Sequence, residues 1–391
     1  MSYRTTRREA LLSGIGAAAV ALTPAAAQKA PVEGESSFAF ERAVSLMEIE
    51  SLAQSRMLQS VYDRVSGAAG SENTLRWNRE ALDKIRLKPR VLVDVTKLDT
   101  RVKLFGQEFP FPFLLAPTGG HGLVHPEGEM ATARGAAAAG ATLVISIGAS
   151  FPIQDIAKAA TGPLWLQCYI QKDRGLTRDL LERGQAAGYK AFCVTVDNPV
   201  LGARDREERA MVDLPVRDRP NGMTPARSTL TRPGARYSLL APDKLTWENV
   251  EWLLSFAKIP VLLKGILNPD DADRAAKSGV AGVIVSNHGA RQLDTVPPTM
   301  EVLPHVVDKV AGRVPVLVDG GIRRGVDVLK GLALGASAVL IGRSYLYGLA
   351  IGGDDGVTRV VDILRTEFEL AMALTGRASI SDIDRSVLWT A

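Results

Sequence analysis

Eight short apolar runs, separated by helix-length segments from about residue 110 onward, constrain this chain more than any other feature. They are FLLAPT (113–118), TLVISIG (142–148), LWLQCY (164–169), AFCVTVD (191–197), VLLKG (261–265), GVIVSNH (282–288), VPVLVDG (314–320) and AVLIG (338–342). Continuous apolar runs of this length, bounded by glycine or polar residues, read as strands buried on both faces. Eight of them alternating with helices predict a closed (β/α)8 barrel. The alternative is an open doubly wound sheet, but no G-x-G-x-x-G follows the first strand. Residues 41–100 read as a helical extension packed outside the barrel, and 205–242, rich in Arg, Pro and Asp, as one long loop of the kind that forms lids or stays disordered. With 391 residues and 46% hydrophobic content, the chain can bury one large core or two small ones.

Barrel enzymes place their chemistry at the C-terminal strand ends. Here those ends are polar: Thr118, Ser146, Gln167 with Tyr169, Thr195 with Asp197, Lys264, Ser286 with His288, and Asp319. Residues two apart on a strand point the same way, so each pair shares the inward face. The stretch VSNHGARQLD (285–294) carries His288 and then Arg291 beyond the sixth strand. Alone, the pair reads as a core histidine beside a surface arginine; among so many polar neighbours it reads as part of a ligand site. After strands seven and eight stand DGGIRRG (319–325) and IGR (341–343). Glycine turns let backbone N–H groups approach an anion, a helix start adds its dipole, and Arg323 and Arg343 add charge, so a phosphate-bearing cofactor is expected.

The formal charge of +4 is spread along the chain without a Lys/Arg block, which argues against nucleic acid as a partner. Cys168 and Cys193 lack metal-ligand spacing and are expected to be buried free thiols; no metal site is expected. Residues 1–27 read as a signal peptide, with a charged start, a weakly apolar stretch and the small-residue pattern Ala25-Ala26-Ala27. The pair Arg7-Arg8 resembles a twin-arginine signal, which implies export to the periplasm in folded form. An ordinary secretory signal or an uncleaved anchor is the alternative. No later stretch reaches the ~18 apolar residues of a membrane span.

These motifs resemble the FMN-dependent α-hydroxy acid oxidases and dehydrogenases, over roughly residues 45–375. The resemblance implies that residues 28–391 form one FMN-dependent barrel domain that oxidises a 2-hydroxy acid to the 2-oxo acid. Electrons would pass to a quinone, a cytochrome or O2, and a homotetramer is implied. Pro117, Thr118 and Gly119 of APTG, with Ser146, Gln167, Thr195, Lys264 and Ser286, would hold the flavin ring and ribityl chain. Asp319, Gly320, Gly321, Arg323, Gly342 and Arg343 would hold its phosphate end. His288 would be the base, Asp197 its supporting carboxylate, Arg291 the clamp on the substrate carboxylate, and Tyr169 and Arg204 residues lining the substrate pocket.

The chemistry needs these residue types. Removing two electrons and two protons from a carbinol takes a base beside a planar electron acceptor. Histidine titrates near neutrality, and Asp197 is expected to favour its protonated state. Arginine's planar fork grips a carboxylate bidentately, and Lys264 would stabilise negative charge on the reduced cofactor. His121 is expected either to line the pocket or to be structural; His125 and His305 are expected to be structural.

Two positions depart from the family. Arg64 stands where a substrate-binding tyrosine is usual, and Gly148 where many members have a bulky residue. Gly148 points to a substrate with bulk beyond the carbinol. Arg64, if it reaches the pocket rather than solvent, points to a large aromatic or carboxylated hydroxy acid. Gly119 replaces the alanine common in the oxidases, which leaves the acceptor open. A non-redox FMN isomerase on a related barrel, or an exported binding protein whose catalysis has lapsed, are the readings from other classes.

Overall fold

The computed structural model describes Phe40 and residues 42–213, 220–222 and 245–389. The expected signal peptide lies outside the described residues. Three helices come first: α1 (Leu46–Arg56), α2 (Gln59–Ser66) and α3 (Asn73–Lys84). A short antiparallel pair follows, β1 (Val102–Leu104) with β2 (Gln107–Phe109). The barrel then runs β3 (Phe113–Leu115), α4 (Gly128–Ala138), β4 (Leu143–Ser146), α5 (Ile153–Ala159), β5 (Leu164–Cys168), α6 (Arg174–Ala186) and β6 (Phe192–Thr195). It continues through α7 (Asp205–Asp213), α8 (Trp247–Leu254), β7 (Val261–Ile266), α9 (Pro269–Lys277), β8 (Gly282–Val285) and α10 (Thr299–Val310). The last elements are β9 (Val316–Asp319), α11 (Gly325–Ala333), β10 (Ala338–Ile341) and α12 (Arg343–Thr375).

Strands β3 to β10 pair in parallel in chain order, and β10 closes onto β3. The eight predicted strands are these eight; all but β7, which runs one residue further, are shorter at the C-terminal end than their apolar runs because the last residues turn into the site. The two-residue period sorts the side chains. Leu115, Ile145, Leu166, Val194, Leu263, Val285 and Val318 face the helices in one buried cluster. Leu114, Val144, Trp165, Cys193, Leu262, Ile284, Leu317 and Leu340 fill the barrel interior in a second. The β1–β2 pair closes the interior from the N-terminal side: Phe105 and Phe109 pack edge-on to Trp165, at 5.6 and 6.0 Å between ring centroids. Cys168 and Cys193 are buried and unbridged, as expected.

Two sequence expectations need correction. Residues 41–100 do not simply pack outside the barrel: α1 lies against α12, whereas α2 sits over the C-terminal mouth, where Val61, Arg64 and Val65 line the cavity. Residues 85–101 hold no helix. The stretch 205–242 is not one loop, since it opens with α7; residues 214–219 and 223–244 lie outside the described residues. Charge pins α7 in place. Arg206 grips Glu72 through Nε and Nη2 at 2.8 and 3.0 Å, and Glu207 is buried among arginines at the mouth.

Candidate active site

Two residues up from the apolar interior layer, the side chains become polar on six of the eight strands. The step runs from Val144 to Ser146, Trp165 to Gln167, Cys193 to Thr195, Leu262 to Lys264, Ile284 to Ser286 and Leu317 to Asp319. Cross-strand register sets Ser146 beside Gln167 and Thr195 beside Lys264. A buried chain of bonds results: Ser146 Oγ donates to Gln167 Oε1 and Gln167 Nε2 donates to Thr195 Oγ1, both at 2.9 Å. Lys264 Nζ donates to Ser286 Oγ at 2.8 Å and pairs with Asp319 at 3.0 Å. Burial alone would lower the Lys264 pKa, but the carboxylates of Asp319 and Asp197 outweigh it and raise it. The ammonium is therefore fixed as a cation.

Just beyond β8, three successive residues take left-handed backbone: His288 (φ 58°), Gly289 (φ 61°) and Ala290 (φ 65°). Such a turn is strained for a histidine, and strain persists only where the surroundings over-determine it. Asn287 Oδ1 accepts from the Ala290 amide at 3.2 Å, and its side chain exchanges hydrogen bonds with Asn78 of α3 at 2.8 and 3.1 Å. The His288 amide donates to Ser286 Oγ at 3.0 Å. The turn aims the imidazole at Asp197, with Nδ1 to Oδ1 at 2.9 Å. Asp197 fits there because Gly265 (φ 110°) has no Cβ, which would lie 2.5 Å from the Asp197 side chain.

Burial lowers the His288 pKa; Asp197 pulls the other way, while Lys264 and Arg204 reinforce the lowering. Asp197 thus favours the protonated ring, as expected, but the net direction is down because burial outweighs it. The imidazole is a neutral base, with the proton on Nδ1 facing Asp197 and the lone pair on Nε2. A pH profile follows. The acid limb of kcat/KM, which reports the free enzyme, is expected below the ordinary histidine value of 6.5. Activity is lost as pH falls through that limb. In Asp197→Asn, which removes the strongest upward influence, the limb should move lower still; a limb moving upward would refute the assignment.

On the other side of the mouth, three arginines meet one carboxylate. Glu207 Oε1 pairs with Arg64 Nη1 at 2.8 Å, and Oε2 with Arg291 Nη2 at 2.6 Å and Arg204 Nη1 at 3.2 Å. Burial would raise the Glu207 pKa, but the three guanidiniums win and hold it well below the carboxylate range. Arg291 Nη1 also donates to the carbonyls of Arg64 and Gly67, at 3.1 and 2.8 Å. Burial and the other guanidiniums outweigh Glu207 and push Arg291 below the ordinary arginine value. Beside Arg291, and sharing the Gly67 carbonyl with it, Arg343 donates to the carbonyls of Val65, Gly67 and Gly289 at 3.0, 2.9 and 2.9 Å, and among the described residues it has no ion-paired carboxylate. Gly320 (φ 110°) and Gly321 (φ 79°) turn the chain away from β9 in conformations open chiefly to glycine.

One cavity of about 500 Å³ connects these parts. Its wall includes Pro117, Thr118, Gly119, Ser146, Gln167, Tyr169, Thr195, Arg204, Lys264, His288 and Arg291. Asp319, Gly320, Gly321, Arg323, Gly342 and Arg343 line it as well. Two assigned residues stand behind the wall. Asp197 supports His288, and Ser286, fully buried, holds Lys264 and the His288 amide instead of facing the cavity. His121 is also behind it, bonded to Thr118 Oγ1 and Thr132 Oγ1 at 2.8 and 2.9 Å. His305 is exposed on α10 and His125 half-buried. Arg64 reaches the cavity. Glu207 is the participant that sequence reasoning missed, and its only signal was its place three residues after Arg204.

Residues 53–390 match the family described as FMN-dependent dehydrogenase. The chain belongs to that family. A peroxisomal (S)-2-hydroxy-acid oxidase of Oryza sativa subsp. japonica is 45% identical over 351 residues, covering 89% of this chain and 96% of the relative. An L-lactate oxidase of Nostoc is 44% identical over 357 residues, covering 88% and 98%. Among solved structures, mandelate oxidase with (S)-2-phenylpropionate superposes with a TM-score of 0.81 at 39% identity, covering 89% of this chain and 98% of that one. A flavocytochrome b2 variant with pyruvate bound does so with a TM-score of 0.82 at 34% identity, covering 90% and 87%.

For an FMN-dependent dehydrogenase the cavity is chemically apt. Asp319 Oδ1 is buried without a hydrogen-bond partner, an acceptor suited to the hydroxyls of a ribityl chain. A Cβ built on Gly342 would meet nothing within 4 Å, so the cavity wall there is open to a group the size of a phosphate. The amide of Gln167 and the ammonium of Lys264 suit the polar edge of a flavin ring.

Proposed function

We propose that the enzyme oxidises an (S)-2-hydroxy acid to the 2-oxo acid, with His288 as base and Arg291 as carboxylate clamp. The observation that carries this reading is the His288–Asp197 pair opening onto the same cavity as Arg291. FMN, when bound, supplies the two-electron acceptor, and the electrons leave to a quinone, a cytochrome or O2. Arg291 would orient the substrate carboxylate, with Tyr169 and Arg204 beside it. The carbinol would then stand at His288 Nε2, which takes a proton while Asp197 stabilises the resulting imidazolium. Lys264 places fixed positive charge where the cofactor gains negative charge. Pro117, Thr118, Gly119, Ser146, Gln167, Thr195 and Asp319 would hold the ring and ribityl chain, and Gly320, Gly321, Arg323, Gly342 and Arg343 the phosphate. The relatives lend no support to an isomerase or to a lapsed binding protein.

Gly148 bears on substrate size. It lines the cavity without a side chain, and its carbonyl would lie 3.1 Å from a Cβ at Gly119, so the two glycines are coupled by close approach. The expectation is a substrate with bulk beyond the carbinol. In an anaerobic titration, glycolate should reduce the flavin poorly relative to larger hydroxy acids. Gly148→Trp should lower kcat/KM for the large ones by roughly 10- to 200-fold, the range for steric misfit in a pocket. Wild-type preference for glycolate, or a Gly148→Trp variant with unaltered preference, would refute it.

The twin-arginine reading adds a location. If the folded holoenzyme is exported, membrane quinones and periplasmic cytochromes stand closer to the reduced flavin than in a cytoplasmic oxidase, so a dehydrogenase is favoured; Gly119 in place of the oxidases' alanine agrees. Replacing Arg7 and Arg8 by lysine should leave the flavin-loaded precursor in the cytoplasm. Normal arrival of the double variant in the periplasm would exclude the twin-arginine route.

A further inference from the structure

Among the described residues the cluster at the mouth holds three guanidiniums and one carboxylate, an excess of two positive charges in a largely buried space. Of the other ionisable groups facing it, Lys264 is matched by Asp319, while the negative charge of Asp197 beside neutral His288 and the positive charge of Arg343, which shares the Gly67 carbonyl with Arg291, offset each other. A substrate with one carboxylate would cancel one of the two excess charges. One with two would cancel both. Arg204 and Arg291 are heavily committed: Arg204 donates to the Arg291 carbonyl and to Gln292 Oε1 at 2.6 and 2.8 Å, and Arg291 to two carbonyls. Arg64 differs. Among the described residues its guanidinium makes one hydrogen bond, Nη1 to Glu207, although it is only 15% exposed, and it lines the cavity.

We propose that Arg64, anchored by Glu207, forms a second anion subsite, and that the enzyme's substrates are short dicarboxylic 2-hydroxy acids. The inference rests on the 2-hydroxy acid reading above and names the substrate class for that site. Glu207 bridges Arg64 and Arg291 with its two oxygens, so the two cations stand one carboxylate group apart. That spacing suits a diacid whose first carboxylate lies on Arg291 and whose second reaches the free N–H groups of Arg64. Glu207 is a positioning residue here: it turns Arg64 inward and keeps it from solvent. A tyrosine at position 64 would offer a neutral hydroxyl and no such match.

Paired substrates of equal length test this. With purified holoenzyme, anaerobic flavin reduction is measured for (S)-malate against (S)-2-hydroxybutyrate and for (S)-2-hydroxyglutarate against (S)-2-hydroxyvalerate. Each diacid should exceed its methyl-ended partner by roughly tenfold or more in kcat/KM, because a site built around a polar partner is left unpaired by the analogue lacking it. In Arg64→Gln the ratio should collapse toward one through a raised diacid KM, and Arg64→Lys should retain part of it. Glu207→Gln, which unties Arg64, should lower the ratio as well. A wild-type ratio near one, or a ratio unchanged in Arg64→Gln, would overturn the subsite while monoacid reduction left the hydroxy acid reading standing. Failure of every hydroxy acid to reduce the flavin would remove both.

Discussion

His288→Asn is expected to slow flavin reduction by at least ~10²-fold while the protein keeps its FMN absorbance. Asparagine preserves polarity and approximate size but cannot take a proton, so the loss should appear in the chemical step. Binding of the cofactor should survive because its proposed contacts, from Ser146 through Lys264 to Arg343, come from other strands. The left-handed turn is held by Asn287, Asn78 and Ser286, and asparagine is among the residues that tolerate such backbone. The variant should therefore fold. Stopped-flow reduction under saturating 2-hydroxy acid is the decisive measurement. A wild-type rate would mean that His288 is not the base.

Arg291→Met should damage binding and chemistry together. The methionine fills similar volume without charge, so the substrate carboxylate loses its bidentate partner and the carbinol loses its alignment with His288. KM should rise and the limiting rate of reduction fall, with kcat/KM reduced by on the order of 10²-fold or more. Glu207 would still have Arg64 and Arg204, so the cluster should not collapse around an unpaired carboxylate. The split separates the two variants: loss of the base spares substrate affinity, whereas loss of the clamp does not. A wild-type reduction rate in Arg291→Met would remove it from the assigned role.

Much of this site was legible because one rule governs a barrel strand. Once the apolar runs were placed, the two-residue period put Ser146, Gln167, Thr195, Lys264 and Asp319 on one inward ring, where they stand. The pairing of His288 with Asp197 needed the family resemblance, since 91 residues separate them. Ser286 was expected to hold the cofactor, but Lys264 and the His288 amide take up its hydroxyl. Glu207 escaped notice because its segment, dense in Arg, Asp and Pro, has the composition of a loop. Its helix is tied to the mouth by tertiary ion pairs to Glu72 and Arg64, which no local stretch of sequence shows.

Strand number, closure order, the polar ring and the glycine turns beside Arg323 and Arg343 were determined by the sequence alone, because they rest on periodicity and on residues adjacent in the chain. The direction of Arg64, the strained turn at His288 and the proton state of its ring were decided only by the tertiary structure. Arg64 could have faced solvent until α2 docked over the mouth and Glu207 arrived from α7. The turn depends on Asn78, 209 residues from Asn287. Burial against Lys264 and Arg204 outweighs the influence of Asp197 on His288, and burial is a property of the assembled barrel that no local stretch of sequence carries.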